Sequence, residues 1–291
     1  MSAATRRGEV RLTAEGRRWR TRYRAPLFVN VLPCPGGGLL AAPVDQGGGL
    51  RNGERHLQRV ALADGAEVTW APPASTLCLP GDPGLPGGPG APGGPGSPGG
   101  TGSPGDPGPA GAPGEPANVA GTSHLQLAAR VGGSSYLRIA APPLIPFAGA
   151  AVAQTTVVST AAGGECLLVE SGCPGRTQMG ERWAFNRLAY RLTVLHDGRV
   201  VYRERWDLRP PAVPLAASGF GDYLAWGTCV ACGPRAAAEL AAIRRRLAAD
   251  GAAVTGGALT RDVAVARILD PHGYLVTSLA ADVARAARSD T

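Results

Sequence analysis

Residues 187–206 run RLAYRLTVLHDGRVVYRERW. Leu188, Tyr190, Leu192 and Val194 fall on one side of a two-residue period, with Arg187, Arg191 and Thr193 on the other. That alternation predicts a strand with one face in a core. Asp197-Gly198 follows, and both residues tolerate positive φ, so the chain turns back on itself. Val200, Tyr202 and Trp206 then return on one face of a second strand. A hairpin of this length places the chain among β proteins.

The pattern extends in both directions. Short alternating runs at Arg20–Tyr23, Leu27–Leu32 and Leu39–Val44 read as strands, as do Ser123–Ala129, Tyr136–Ile139, Ala150–Ser159 and Glu165–Glu170. Another pair, His56–Leu62 and Glu67–Trp70, flanks Asp64-Gly65 and predicts a second hairpin. Helical spacing appears only late. Pro234 suits a first helical position, Leu240, Ile243 and Leu247 follow at helical intervals, and Gly251 can end the helix. Leu259–Leu269 reads as a strand, and Leu275, Leu279 and Val283 mark a last helix. The expected fold is mainly β, with about two helices near the C-terminus.

One stretch cannot be sheet. Gly81–Pro116 is an unbroken run of Gly-X-Y triplets with proline at most Y positions. Proline lacks the ladder donor and glycine offers nothing to pack. A lone chain cannot build a triple helix, so the run is expected to be extended or disordered. The expected organisation is a β domain begun in 1–80, interrupted at 81–116 and completed in 117–291. The alternative is a collagen-like trimeric structural or interaction protein with globular flanks.

Composition narrows the function. Net charge is +7, and all 29 basic residues are arginines. They are scattered, with only Arg244-Arg245-Arg246 adjacent, so no nucleic-acid partner is expected. No run of 18 or more apolar residues could span a membrane, and no apolar segment behind Met1 resembles a secretory signal. Together with six cysteines in no disulfide-like framework, this gives a cytoplasmic expectation. Cys229-Val230-Ala231-Cys232 has no second pair to complete a zinc site and no thioredoxin-like context, so ordinary buried thiols are expected. The glycine-rich loop at 47–53 lacks the Lys-Ser/Thr of a phosphate loop and reads as a turn. No hydrolase triad is legible, and the chain is not expected to be an enzyme.

Several short motifs occur in a meaningful order. They are Pro26-Leu27, Gly48-Gly49-Leu50-Arg51-Asn52-Gly53-Glu54, Pro72-Pro73-Ala74-Ser75 and Ile145-Pro146-Phe147-Ala148-Gly149-Ala150. Cys173-Pro174-Gly175-Arg176, Gly180-Glu181, Asn186-Arg187-Leu188 and Glu204-Arg205 follow, then Trp226-Gly227-Thr228 and Ala258-Leu259-Thr260. In this order they resemble the urease accessory protein UreD family, called UreH in some species. The resemblance runs over about residues 9–80 and 117–288.

That resemblance implies a wound stack of β-sheets with two C-terminal helices. It also implies a non-enzymatic chaperone that binds urease apoprotein and UreF, with the GTPase UreG joining through UreF. No cofactor is held tightly; Ni²⁺ passes in transit through an internal, carboxylate-lined channel. Oxygen ligands can hold a partly hydrated divalent ion without trapping it. Carried over by motif, the channel acids fall on Glu54, Glu170 and Glu204, with Ser75 and Glu181 as secondary candidates. The ordinary alternative for each acid is a solvated surface glutamate, and for Glu204 a hairpin-face charge paired with arginine. The chain departs from the family pattern at Thr76–Leu79 and Ala140–Pro142, beside the Gly-X-Y run.

Overall fold

A computed structural model describes residues 7–51, 53–80, 121–210 and 220–289, with side chains described as far as Val283. The Gly-X-Y run lies outside the described residues. In chain order the strands are β1 (Arg7–Glu15), β2 (Arg18–Arg24), β3 (Leu27–Pro33), β4 (Leu39–Asp45), β5 (Arg55–Leu62), β6 (Glu67–Trp70) and β7 (Thr76–Cys78). After the run come β8 (Ser123–Val131), β9 (Tyr136–Ala140), β10 (Leu144–Pro146), β11 (Ala151–Thr160), β12 (Glu165–Gly172), β13 (Arg187–His196) and β14 (Arg199–Leu208). The chain ends with β15 (Ala225–Cys232), helix α1 (Pro234–Ala249), β16 (Ala253–Ala258), β17 (Val263–Asp270) and helix α2 (Leu275–Ser289).

These strands form two facing sheets. One has the order β14-β13-β11-β8-β5-β1-β2; the other runs β16-β17-β15-β12-β9-β6-β4-β3, with β7 and β10 attached beside β12. The chain winds between them. It turns at Asp64-Gly65 from β5 in the first sheet to β6 in the second, and repeats the crossing from β8 to β9 and from β11 to β12. Each new coil lies parallel on the last: β5 on β1, β8 on β5, β11 on β8 and β13 on β11. The second sheet matches this, with β6 on β4, β9 on β6 and β12 on β9. The mainly β, wound architecture with two late helices is the one expected. Strands on either side of the Gly-X-Y run share sheets, since β8 lies on β5 and β10 pairs β7.

The Asp64-Gly65 turn corrects one expectation. β5 and β6 flank it but do not pair with each other; each bonds to strands of its own sheet. The turn residues allow a reversal, with Gly65 at φ 75°, but they do not decide which sheet the chain re-enters. The hairpin across Asp197-Gly198 does form. β13 and β14 pair across Asp197 (φ 47°) and Gly198 (φ 73°), with a bulge at Val194/Leu195. That bulge turns Val200 outward, about half exposed, while Tyr202, Glu204 and Trp206 keep the inward face. A third correction concerns Leu259–Leu269. Leu259 sits exposed in the turn of the β16–β17 hairpin, and the strand proper begins at Val263.

Both helices cover the outer face of the second sheet. Pro234 opens α1, and the Glu165 carboxylate accepts the free N–H groups of Arg235 (2.7 Å) and Ala236 (3.2 Å) at its first turn. Leu240 and Leu247 are buried beneath it. Leu275, Leu279 and Val283 seat α2 beside it. No helix among the described residues is long and apolar enough to cross a membrane.

Candidate functional site

Between the sheets the interior divides into layers. At one end Val10, Leu12, Val60, Leu62, Val158, Leu168, Leu192 and Val230 form an apolar core. At the other end Leu50, Cys78, Leu144, Val152, Phe185, Leu188 and Trp226 form a second one. Between these two lies a polar layer. Two-residue alternation builds it: His56 and Gln58 share the inward face of β5 with Val60 and Leu62, and Gln154 and Thr156 share that of β11 with Val152 and Val158. From the second sheet, Glu170, Thr228, Arg267 and Thr255 stand side by side on four neighbouring strands.

Glu170 is the centre of the layer, 3% exposed. Its carboxylate accepts hydrogen bonds from Thr156 Oγ1 (2.5 Å), Tyr190 OH (2.6 Å) and Gln154 Nε2 (2.9 Å). Burial raises its pKa above the ordinary carboxylate value; the three donors oppose that rise and nearby Glu204 adds to it. Tyr190 is raised far higher, by burial and by the Glu170 charge.

Glu204 lies on the inward face of β14, 5% exposed. Tyr202 donates to it at 2.8 Å, and Arg267 Nη1 stands 2.7 Å from its other oxygen. The Arg267 side chain is about half exposed and lines a groove, while Glu204 stays buried behind it. Glu204 does pair with an arginine, but one reached across the sandwich from β17 and not from its own hairpin.

Glu54 lies at the opposite end, 8% exposed, where its side chain accepts the Arg51 N–H (3.0 Å) and its carbonyl accepts that of His124 (2.8 Å). Beside it, His56 Nδ1 is 4.0 Å from Asp45 Oδ2. Burial holds the His56 imidazole below its usual pKa, against the pull of Asp45 and Glu54. Its Nε2 is buried with no hydrogen-bond partner among the described residues. A neutral imidazole there has a lone pair free for a cation.

Four adjoining cavities run from Asp45 and His56 past Glu170 to Arg267, and neither Glu54 nor Glu204 lines them. Ser75, Asp45 and His56 line a pocket of about 200 Å³. It shares Gln58, Pro72, Thr76 and Leu125 with a narrower space of about 40 Å³ reaching Gln154 and Glu170. Glu170, Ser171 and Gln154 also line a constriction of about 10 Å³ against Tyr190, Trp206 and Trp226. Beyond it, Trp206, Trp226 and Thr228 open into a groove of about 590 Å³ that holds Arg267. The constriction has room for about one water. Thr76, Ala141 and Pro142, where the chain departs from the family pattern, line the second space.

The three primary acids are therefore buried rather than solvated, with Glu54 and Glu204 at opposite ends and Glu170 between. Ser75 lies in the first pocket. Glu181 stands apart on a more exposed loop, bonded to Arg176 (2.5 Å) and to the Ala148 N–H (2.8 Å). Sequence reasoning missed Asp45, His56, Gln154, Thr156, Tyr190 and Arg267. A usable signal existed for four of them: polar residues on the apolar face of otherwise alternating strands. Cys229 and Cys232 are fully buried on opposite faces of β15, as their odd spacing in a strand requires. Among the described residues no group of three or more His, Cys, Asp or Glu could hold a metal ion.

The fold is thus a wound β sandwich with a polar, carboxylate-bearing layer between two apolar cores. The chain belongs to the UreD urease accessory protein family, whose sequence model matches residues 6–291. It is similar to the urease accessory protein UreD of Sorangium cellulosum, 32% identical over 167 residues, covering 54% of this chain and 53% of that protein. A UreD of Anaeromyxobacter sp. is 32% identical over 133 residues, covering 46% of this chain and 45% of that protein. The urease accessory protein UreH of Helicobacter pylori is 32% identical over 98 residues, 32% of this chain and 37% of that protein. The matches thus span about half the length of the curated relatives, or less.

Proposed function

We propose that the chain is a non-catalytic accessory factor in urease maturation. It binds urease apoprotein and UreF, is linked through UreF to UreG, and passes Ni²⁺ along the polar layer. The observation that carries this reading is the buried Glu170 carboxylate, which lies where two adjoining cavities meet, with Glu54 and Glu204 buried outside the cavity linings. Buried carboxylates are costly unless they serve a purpose or are fully paired. Glu170 is held by neutral donors alone, which leaves its charge for a cation. His56 offers a first nitrogen beside Asp45 and Glu54, Glu170 the central oxygens, and Glu204 the last carboxylate. Arg267 at the far end can release Glu204 as a cation arrives, because its guanidinium reaches solvent.

Co-expression with the host's urease subunits, UreF and UreG tests this. Urease activity and bound nickel are measured with the chain present, absent, or carrying Glu54→Ala/Glu170→Ala/Glu204→Ala. The expected result is loss of both without the chain, restored by wild type and not by the triple variant. Full activation without the chain would overturn the role in maturation. Full activation by the triple variant would overturn the path alone.

A further inference from the structure

The arginines that look scattered in sequence gather on the outer face of the seven-stranded sheet. On β2, Arg20, Arg22 and Arg24 stand opposite Thr13, Arg11 and Glu9 of β1. Those β1 positions alternate with buried Val10, Leu12 and Ala14, so the β2 arginines project away from the core. Arg59 continues the row beside Arg11, and Arg130 rises from β8. At the far edge Arg191 faces Arg205, and Arg203 is two residues along the same strand. The first and last strands are separated by six inter-strand steps, about 29 Å in all.

Acids on this face are few: Glu9, Asp207 and, at the end of β1 opposite Arg18, Glu15. Glu9 lies 2.6 Å from Arg11 and 3.7 Å from Arg59, and Asp207 is bound bidentately by Arg187 at 2.9 Å. Among the described residues no carboxylate pairs with Arg20, Arg22, Arg130, Arg191, Arg203 or Arg205. Between the arginines stand short side chains, Thr13, Ala61, Ala128 and Thr193, which let a flat surface approach.

We propose that this face docks a protein partner through an acidic surface of that partner. Planar guanidinium forks match carboxylates two bonds at a time, and a field of unpaired forks is complementary to a field of carboxylates. Single-stranded nucleic acid requires aromatic platforms for its bases. Trp19 and Tyr23 alternate with the β2 arginines but stand opposite Ala14 and Val10, on the other side of the sheet. A membrane surface requires apolar groups to insert. The only large hydrophobics exposed on this face among the described residues are Val157 and Val200. The face is distinct from the cavity path, whose residues point inward.

The test uses the full chain and three probes at physiological salt: labelled poly-L-glutamate, poly(U) RNA and phosphatidylserine vesicles. Binding is compared among wild type, Arg20→Gln/Arg22→Gln, Arg203→Gln/Arg205→Gln, and the equal-charge control Arg245→Gln/Arg261→Gln, which lies off this face. Thermal melts confirm folding, and either face pair suffices if the other fails to fold. Poly-L-glutamate affinity is expected to fall about fivefold or more in each face pair and less than twofold in the control. An equal loss in the control would mean that only net charge matters and would overturn the docking face. Tighter binding of poly(U) or vesicles, lost with the same face pairs, would overturn the assignment to an acidic protein. None of these outcomes depends on nickel transfer.

Discussion

Two stretches of the same sandwich, a few residues apart on shared strands, are built on opposite principles. In one, Val60, Val158, Leu168 and Leu192 interlock with no polar atom between them. In the other, Gln58, Thr156, Glu170 and Tyr190 replace them on the same inward faces and enclose small cavities. The first arrangement stabilises, at roughly 1.5–3 kcal/mol per buried aliphatic side chain. The second opposes folding through a desolvated carboxylate and imperfect packing. The apolar layer therefore supports the fold while the polar layer draws on it.

The sharpest attempt to break this contrast substitutes one residue in each layer. Leu168→Ala should destabilise by about 2–5 kcal/mol, because the close-packed neighbours collapse only partly into the gap. Urea denaturation measures it, and urease activation should fall only as far as folded protein is lost. Glu170→Gln should leave the denaturation midpoint near or above wild type, yet reduce nickel-dependent urease activation by ~10-fold or more. If Leu168→Ala and Glu170→Gln behave alike in both assays, the two layers do not differ in role.

A smaller effect is expected at the far end. Arg267→Met leaves the buried Glu204 carboxylate without its cation, at about 1–3 kcal/mol, since the guanidinium it loses is half in water. Glu204→Gln/Arg267→Met should recover most of that loss in the same denaturation series.

Acid titration of stability sharpens the comparison further. The Glu170 pKa is raised in the folded chain, so above its ordinary value of 4.5 the folded state binds more protons than the unfolded state. Stability from this group is therefore complete below that value and lost as pH rises through the raised one. His56 acts in the opposite direction. Its pKa is lowered, so its contribution is present above 6.5 and lost as pH falls below it. Denaturation midpoints across pH should lose the first slope in Glu170→Gln and the second in His56→Leu. Leu192→Val, in the apolar layer, should shift the whole curve without changing its shape. The smallest effect belongs to the outer surface: Arg20→Gln/Arg22→Gln should change stability by less than about 0.5 kcal/mol per residue.

Much of the fold was legible because strand alternation is local. The Arg187–Trp206 hairpin, the inward Leu188, Tyr190 and Leu192, and the late helices opened by Pro234 and seated by Leu275 all follow from neighbouring residues. The pairing at Asp64-Gly65 was not legible, because a turn signal is the same whether the chain doubles back or crosses to a second sheet. Likewise the motif order pointed to Glu54, Glu170 and Glu204. Their burial, and the company of His56, Gln154 and Arg267, required three separate coils to stack in register.

By itself, then, the sequence determined the strand and helix propensities, the kinship carried by its ordered motifs, and the identity of the acids. Tertiary structure decided which faces meet. The register of parallel coils and of the antiparallel strands added at their edges brings residues as distant in sequence as Gln58, Glu170 and Arg267 into one polar layer. It also brings arginines from Arg20 to Arg205 onto one outer face. Alternation fixes which side of its strand a residue takes, but only non-local register fixes what stands beside it.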